Sequence, residues 1–282
     1  MKRITIIILV LLFGINKLSG QSIKNEISTG KLINFTSEIL NEDRNIQIYL
    51  PEKYHNTITE LPVLYVIDGQ RYFLNGIAFQ HNLTWQKLVP EFIIVGIKTH
   101  SQKRRKLFYQ DAGKFIQFLK KELIPFIDQK YRTLDERIYF GWEMAAGLGV
   151  QIMADAPGLF SGYLLSSPTH ISKTRLENLK ALLETNPQKK LSIYASLGTV
   201  EKWAIESMTS LDSLFKQHPN NNIQWKFNLS KNDNHYTTSL ATFNEGLKSF
   251  FSDFGPLRFY TLKEFNEFGG IIALKKHYKL RG

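Results

Sequence analysis

Residues 137 to 149 read RIYFGWEMAAGLG. Ile138, Tyr139 and Phe140 make a short apolar strand that runs into Gly141, Trp142, Glu143 and Met144, and the small residues from Ala145 onward are suited to opening a helix. A strand, a sharp turn and a helix in this order present the middle residue of the turn at an exposed point. In serine hydrolases the turn reads G-x-S-x-G and its middle residue is the nucleophile. Here the middle residue is Glu143, so the turn carries a carboxylate where a hydroxyl would do acyl transfer. A second candidate is His235, in the polar stretch SKNDNHYTT just ahead of a helical pattern. A nucleophile position early in the chain and a histidine late in it is a workable order for nucleophile and base. The other six histidines have no comparable context and no H-x-x-x-H spacing for a metal.

These residues need elements to position them. NIQIYLP alternates in strand period, and LPVLYVIDG and FIIVGI are nearly continuous apolar runs of the kind buried on both faces of a parallel sheet. IYFG, SGYLLSS, LSIYASLG and IQWKFNLS add further strands. Between them lie helical patterns over 111–130, 171–186, 202–217 and 238–252. The first places Phe115, Phe118, Leu119 and Leu123 on one face, with Pro125 bending or ending it. Strands alternating with helices in this way predict an α/β fold with a mostly parallel central sheet and helices on both faces. The tail differs. Pro256 breaks the pattern, Thr261 and Glu264 stand in capping-box relation, and Gly269-Gly270 stop the helix before IIALKKHYKLRG begins another. Residues 254–282 are therefore expected to form a short C-terminal helical appendage.

The segments LPVLYVIDGQRYF, FIQFLKKELIPFIDQKYRT, FGWEMAAGLG, GLFSGYLLSSP and NHYTTSLATFNEGLKSFF together resemble the esterase family of α/β-hydrolases. This family includes enterochelin-type siderophore esterases, S-formylglutathione hydrolases and feruloyl esterases. The resemblance runs from about residue 30 to 252 and implies a carboxylic-ester hydrolase fold. It places the family's histidine on His235, its oxyanion-hole amides on Gln70 and Met144, and the acid that orients the histidine on Glu201 in SLGTVEKW. Glu201 has an equally good plain reading, as a surface carboxylate at a helix start. The departure is Glu143, which stands where the family has Ser; Ala145 and Ala146 stand where it has glycines.

Three chemistries follow from that departure. In the first, the chain is a non-hydrolytic descendant of an esterase: Glu143 pairs with His235, holds the imidazole protonated, and leaves a cleft able to bind an ester, a siderophore or a glycan-type ligand. In the second, Glu143 is itself the nucleophile, as Asp is in the haloalkane dehalogenases, and the chain is an active ester hydrolase working with His235. In the third, Ser166 or Ser167 compensates, although neither lies in a G-x-S-x-G turn. The first is the favoured reading. A pure interaction module is the rival from a different class. A polar cleft between Gln70, Glu143 and His235 would favour ligand binding, and a cleft filled by Trp142 would favour the module.

Composition sets the setting. Lys2 and Arg3 precede an apolar run from Ile4 to Phe13 that is too short to cross a bilayer core, which takes about 20 residues. Residues 1–20 are thus expected to be a signal peptide, giving a secreted or periplasmic protein with no transmembrane segment after its removal. The domains expected are 1–20, an esterase-like domain over 21–253, and the appendage over 254–282. The chain has no Cys, which excludes disulfides and thiolate metal sites. No metal and no cofactor is implied. The formal charge of +11 becomes +8 once Lys2, Arg3 and Lys17 are set aside, and in an exported chain this favours anionic ligands or envelope polymers and no nucleic-acid partner. The densest basic run, Lys103-Arg104-Arg105-Lys106, reads as a solvated loop, with an anion-binding lip beside the cleft as the minority reading.

Overall fold

The computed structural model describes residues 28–279. The expected signal peptide lies outside the described residues. Eight strands form one sheet in the order β1-β2-β4-β3-β5-β6-β7-β8. These are β1 Lys31–Ser37, β2 Glu42–Tyr49, β3 Leu61–Ile67, β4 Ile93–Ile97, β5 Thr133–Trp142, β6 Gly162–Ser166, β7 Leu191–Gly198 and β8 Ile223–Ser230. The β1–β2 and β2–β4 pairs are antiparallel and all the others are parallel. Every residue of β3 and β4 is buried, as their unbroken apolar runs require of strands covered on both faces.

The helices are α1 Gly69–Trp85, α2 Ala112–Phe118, α3 Ile124–Lys130, α4 Met144–Asp155, α5 Lys173–Glu184, α6 Lys202–Gln217, α7 Thr238–Phe250, α8 Leu262–Glu267 and α9 Gly270–Lys279. One apolar cluster draws on α1 and α7, through Phe73, Leu83, Phe243 and Leu247, against Leu64, Ile94, Phe140 and Leu164 of the sheet. The other holds α2 to α6 against the opposite face, through Phe115, Leu148, Leu179 and Leu211. The sheet is therefore covered on both sides. α8 and α9 pack on each other beyond the sheet, and His277 Nε2 lies 3.3 Å from the carbonyl of Gly255.

The segment expected as one helix over 111–130 is instead α2, a π-turn over Leu119–Leu123, and α3, with Pro125 in the first turn of α3. Pro125 lacks an N–H, and the wide turn before it absorbs the missing bond. A further π-turn covers Lys106–Gln110.

One aromatic stack fastens the elements that carry the site. Phe243 of α7 stacks on Phe140 of β5 at 3.9 Å and on Phe79 of α1 at 5.8 Å. Such pairs add about 0.5–1.5 kcal/mol each beyond the area they bury. They lock α1, β5 and α7 together, and the ends of these three elements hold Gln70, Glu143 and His235.

Candidate active site

β3 and β5 are parallel neighbours, so α1 and α4 begin side by side at the carboxyl edge of the sheet. Between β5 and α4 the chain turns on Glu143 alone, with φ 57° and ψ −119°. This is a conformation that a side chain rarely adopts, at a cost of about 1–3 kcal/mol. Three backbone bonds hold it there. Glu143 N–H donates to the Ser166 carbonyl at 3.0 Å, and the Glu143 carbonyl accepts from Gly147 N–H at 3.1 Å and from Thr169 N–H at 3.2 Å. The turn also needs bare backbone beneath it. A Cβ on Gly141 would lie 2.6 Å from the carbonyl of Ala145, and one on Gly147 would lie 1.9 Å from the Thr169 oxygen. Ala145 and Ala146 are fully buried, small enough for α4 to sit tight against β5.

The Glu143 side chain is about a quarter exposed, and its Oε2 accepts from Arg104 Nη1. Arg104 is held mainly by a different acid. Its Nε lies 3.1 Å from both carboxylate oxygens of Asp68, and its Nη2 lies 3.0 Å from Asp68 Oδ2. Nη2 also donates to the Trp142 carbonyl at 3.2 Å, and the guanidinium sits 5.2 Å from the Trp142 ring and 5.7 Å from the Phe108 ring. Burial pushes the Asp68 carboxyl above the usual carboxylate range, although Arg104 pulls the other way. Burial opposes the charge on Arg104, but Asp68 and Glu143 outweigh it and hold the group above its ordinary value. The result is a triad of carboxylate, guanidinium and carboxylate that runs from the core to the elbow.

A second buried arginine holds the Arg104 segment in place. Arg175 donates to the carbonyl of Phe108 at 2.6 Å and to that of His170 at 2.9 Å, joining the π-turn after Arg104 to the loop after β6. His170 lies on the other flank of the elbow. Burial is the main cause lowering its pKa and nearby arginines add to it, while Glu143 opposes the shift.

On the histidine side, His235 Nδ1 is 2.6 Å from Glu201 Oε2. Glu201 is fully buried, and its Oε1 accepts from Ser167 Oγ and from Gly198 N–H, each at 2.8 Å. The His235 ring packs on Trp142 at 4.7 Å, and Trp142 Nε1 donates to the His235 carbonyl at 2.7 Å. Trp142 is itself 6 % exposed. It thus forms a wall between Arg104 and His235. Trp203 and Tyr236 also contact the His235 ring, at 5.9 and 5.5 Å, and are 67 % and 68 % exposed.

Gln70 and Met144 occupy the first turns of α1 and α4, where an N–H has no acceptor within its own helix. The Gln70 side chain has a separate task, since it receives the Thr99 amide at 2.8 Å and donates to the Thr99 carbonyl at 2.7 Å. A cleft of about 340 Å³ opens beside it, lined by Glu42, Arg44, Lys98, Thr99 and Lys103 among others. Its lining carries both signs of charge and does not take in Glu143 or His235.

Two expectations need correction. Glu143 was expected to pair with His235. Instead it pairs with Arg104, while His235 Nδ1 faces Glu201, because a guanidinium already oriented by Asp68 is a permanent cation within reach. The basic run was expected to be solvated. Lys103 and Lys106 are, but the Arg104 side chain is only 12 % exposed. The spacing of Arg104 with buried Leu107 and Phe108, three and four residues on, was the available signal for its inward face. Asp68 and His170 were also missed as members of the site. Ser166 and Ser167 are fully buried and share Thr238 Oγ1, at 3.0 and 2.6 Å, so neither presents a hydroxyl to the cleft. Among the described residues there is no group of three His, Asp or Glu placed to hold a metal, and no helix long and apolar enough to cross a membrane.

With this geometry in place, the sequence matches the family described as "Putative esterase" over residues 37–253. No relative is found among the curated proteins. Among solved structures, the chain is similar to an IroE-like serine hydrolase from Shewanella oneidensis, with a TM-score of 0.74, 20 % identity, and 89 % of this chain and 88 % of that one covered. It is similar to an uncharacterised protein from Capnocytophaga ochracea, with a TM-score of 0.76 and 19 % identity, over 89 % of this chain and 72 % of that one. It is also similar to the siderophore hydrolase EstB from Aspergillus nidulans, with a TM-score of 0.68 and 16 % identity, over 83 % and 99 %.

Proposed function

This chain belongs to the putative-esterase family of α/β-hydrolases, and from that premise we propose that it binds a small ester, siderophore or glycan-type molecule at the elbow with little or no serine-type hydrolysis. The observation that carries this reading is Glu143, a carboxylate held by Arg104 at the point where the family's nucleophile stands. A carboxylate bound to a guanidinium is a poor nucleophile, because the cation stabilises the same electron pairs that attack would use. Trp142 stands as a buried wall rather than a plug and the Glu143 side chain stays about a quarter exposed, which supports a ligand site at the elbow over a pure interaction module. The functional unit in this reading is residues 21–253, with 254–282 appended, and the protein is exported by way of residues 1–20.

The hydrogen bond between His235 and Glu201 favours one second reading, in which His235 activates water and the chain retains ester hydrolysis without serine. Hydrolysis of short-chain p-nitrophenyl esters by the parent, Glu143→Ser and His235→Ala separates the two. An inert parent together with a Glu143→Ser variant whose new activity needs His235 supports the proposal. Turnover by the parent that His235→Ala abolishes rejects it and establishes the second reading.

A further inference from the structure

Arg104 has more donors than its fixed partners use. Asp68 takes Nε and one side of Nη2, the Trp142 carbonyl takes the other, and the rings of Trp142 and Phe108 flank the plane. The guanidinium is thus oriented without any help from Glu143, and Nη1 is the end that meets the elbow. The two acids it touches are unequal. Asp68 is 3 % exposed and is locked on the core side, whereas Glu143 is 23 % exposed and hangs from a backbone that is pinned by its own three bonds. The Glu143 carboxylate can therefore leave Nη1 without disturbing the turn that carries it.

We propose that Arg104 Nη1 is the anchor for a carboxylate on a ligand at the elbow, and that Glu143 is an internal occupant which that carboxylate displaces. This rests on the reading that the elbow binds a ligand without serine-type hydrolysis. The ligand class is a small carboxylic acid, the kind of molecule that ester hydrolysis releases, and the intact ester is the weaker binder. The Nη1 end carries a full positive charge that a carboxylate can meet as Glu143 does, and an ester offers it only neutral acceptors. The surroundings agree in sign. Arg71 lies 5.0 Å from the Trp142 ring on the same wall, and Asp68 is already balanced by Arg104 itself.

The test is calorimetric titration of the full chain with benzoate and with methyl benzoate, for the parent, Glu143→Gln, and Glu143→Gln combined with Arg104→Lys. The Gln is nearly isosteric and removes the competing charge. The Lys keeps a cation against Asp68 but has no second nitrogen to reach the elbow. Benzoate is expected to bind Glu143→Gln about tenfold or more tightly than it binds the parent, with methyl benzoate changed about twofold at most. Adding Arg104→Lys should remove the gain while the thermal transition remains cooperative. Equal change for both ligands, unchanged benzoate affinity, or no detectable benzoate binding by Glu143→Gln overturns the inference. Turnover of p-nitrophenyl acetate by the parent is measured alongside. Turnover with the benzoate gain intact rejects the parent reading alone, and an inert parent without the gain rejects this inference alone.

Discussion

Replacing Arg104 with Met removes the cation from between two carboxylates while keeping a side chain of similar length. Asp68 is 2 % exposed as a residue, and three contacts of 3.0–3.1 Å join it to Arg104. Removing one member of a buried ion pair costs about 3–5 kcal/mol, because the remaining charge has no water to return to. In a chain of this size that is a fall in Tm on the order of 10 °C. The loss depends on pH with a definite sign. Burial already raises the Asp68 carboxyl, and without Arg104 it rises further. An acid whose folded pKa lies above its unfolded value of about 3.9 favours the folded state fully at low pH, and that contribution is lost as pH rises through the folded value. Arg104→Met should therefore be most destabilised at neutral pH and recover part of the difference as pH falls toward 4. Urea unfolding of the parent, Arg104→Met, Asp68→Asn and the double variant at neutral and mildly acidic pH measures it. The double variant should be more stable than Arg104→Met alone at neutral pH. A loss below about 1 kcal/mol, a loss of equal size at both pH values, or no recovery in the double variant would refute the account of Asp68 as a buried charge that depends on Arg104.

Gly141→Ala should cost at least about 1–3 kcal/mol in the same unfolding assay, because its Cβ meets the Ala145 backbone at 2.6 Å and backbone cannot turn aside. Glu143→Gly should leave Tm within a few degrees of the parent or raise it. The relief of about 1–3 kcal/mol of strain offsets the lost ion pair and the roughly 0.5–1 kcal/mol entropy of glycine. Glu201→Ala should destabilise by about 1–3 kcal/mol, since it leaves Gly198 N–H and Ser167 Oγ without their acceptor, and Glu201→Gln should recover part of this because an amide oxygen can still accept from both.

The parts of the molecule legible in sequence were those where burial is expressed as apolar side chains. The runs of β3, β4 and β6 are buried at every position, and 202–217 appears as α6 with those bounds. β1 was missed because it is an edge strand with most of its residues at least partly exposed, so its pattern is diluted. α1 was missed for another reason. Its buried stripe has helical period, but Gly69, Gly76 and Gln80 stand in it beside Tyr72, Phe73 and Leu83, and glycine and glutamine carry no apolar signal. The site divides in the same way. The elbow and the histidine loop are local sequence, and both segments lie where their motifs put them. Arg104 was masked by three basic neighbours, and its pairing with Asp68 spans 36 residues of chain. Nothing local to either residue encodes that contact.

The geometry around Glu143 separates the groups that hold the fold from those that are free to serve the site. The strained backbone at 143 is fixed by bonds to Ser166, Gly147 and Thr169 and by the close pass of Gly141, none of which involves the side chain. The Glu201 carboxylate is equally bound to the fold. Fully buried, it needs Ser167, Gly198 and His235 to satisfy its oxygens, and removing any of them exposes a charge to an apolar surround. Elbow and histidine–acid pair thus contribute to the stability of the fold whether or not the site does chemistry. Their survival is weak evidence of catalysis. The informative groups are the ones the fold does not need: the Glu143 carboxylate, the Nη1 edge of Arg104 that meets it, and the exposed rings of Trp203 and Tyr236. The proposed carboxylate anchor draws on the first two of these, an acid on the elbow and a preoriented guanidinium end. Restoring the hydroxyl at 143 then does two things at once, returning a nucleophile and vacating Arg104, so Glu143→Ser should gain affinity for benzoate along with any activity it recovers.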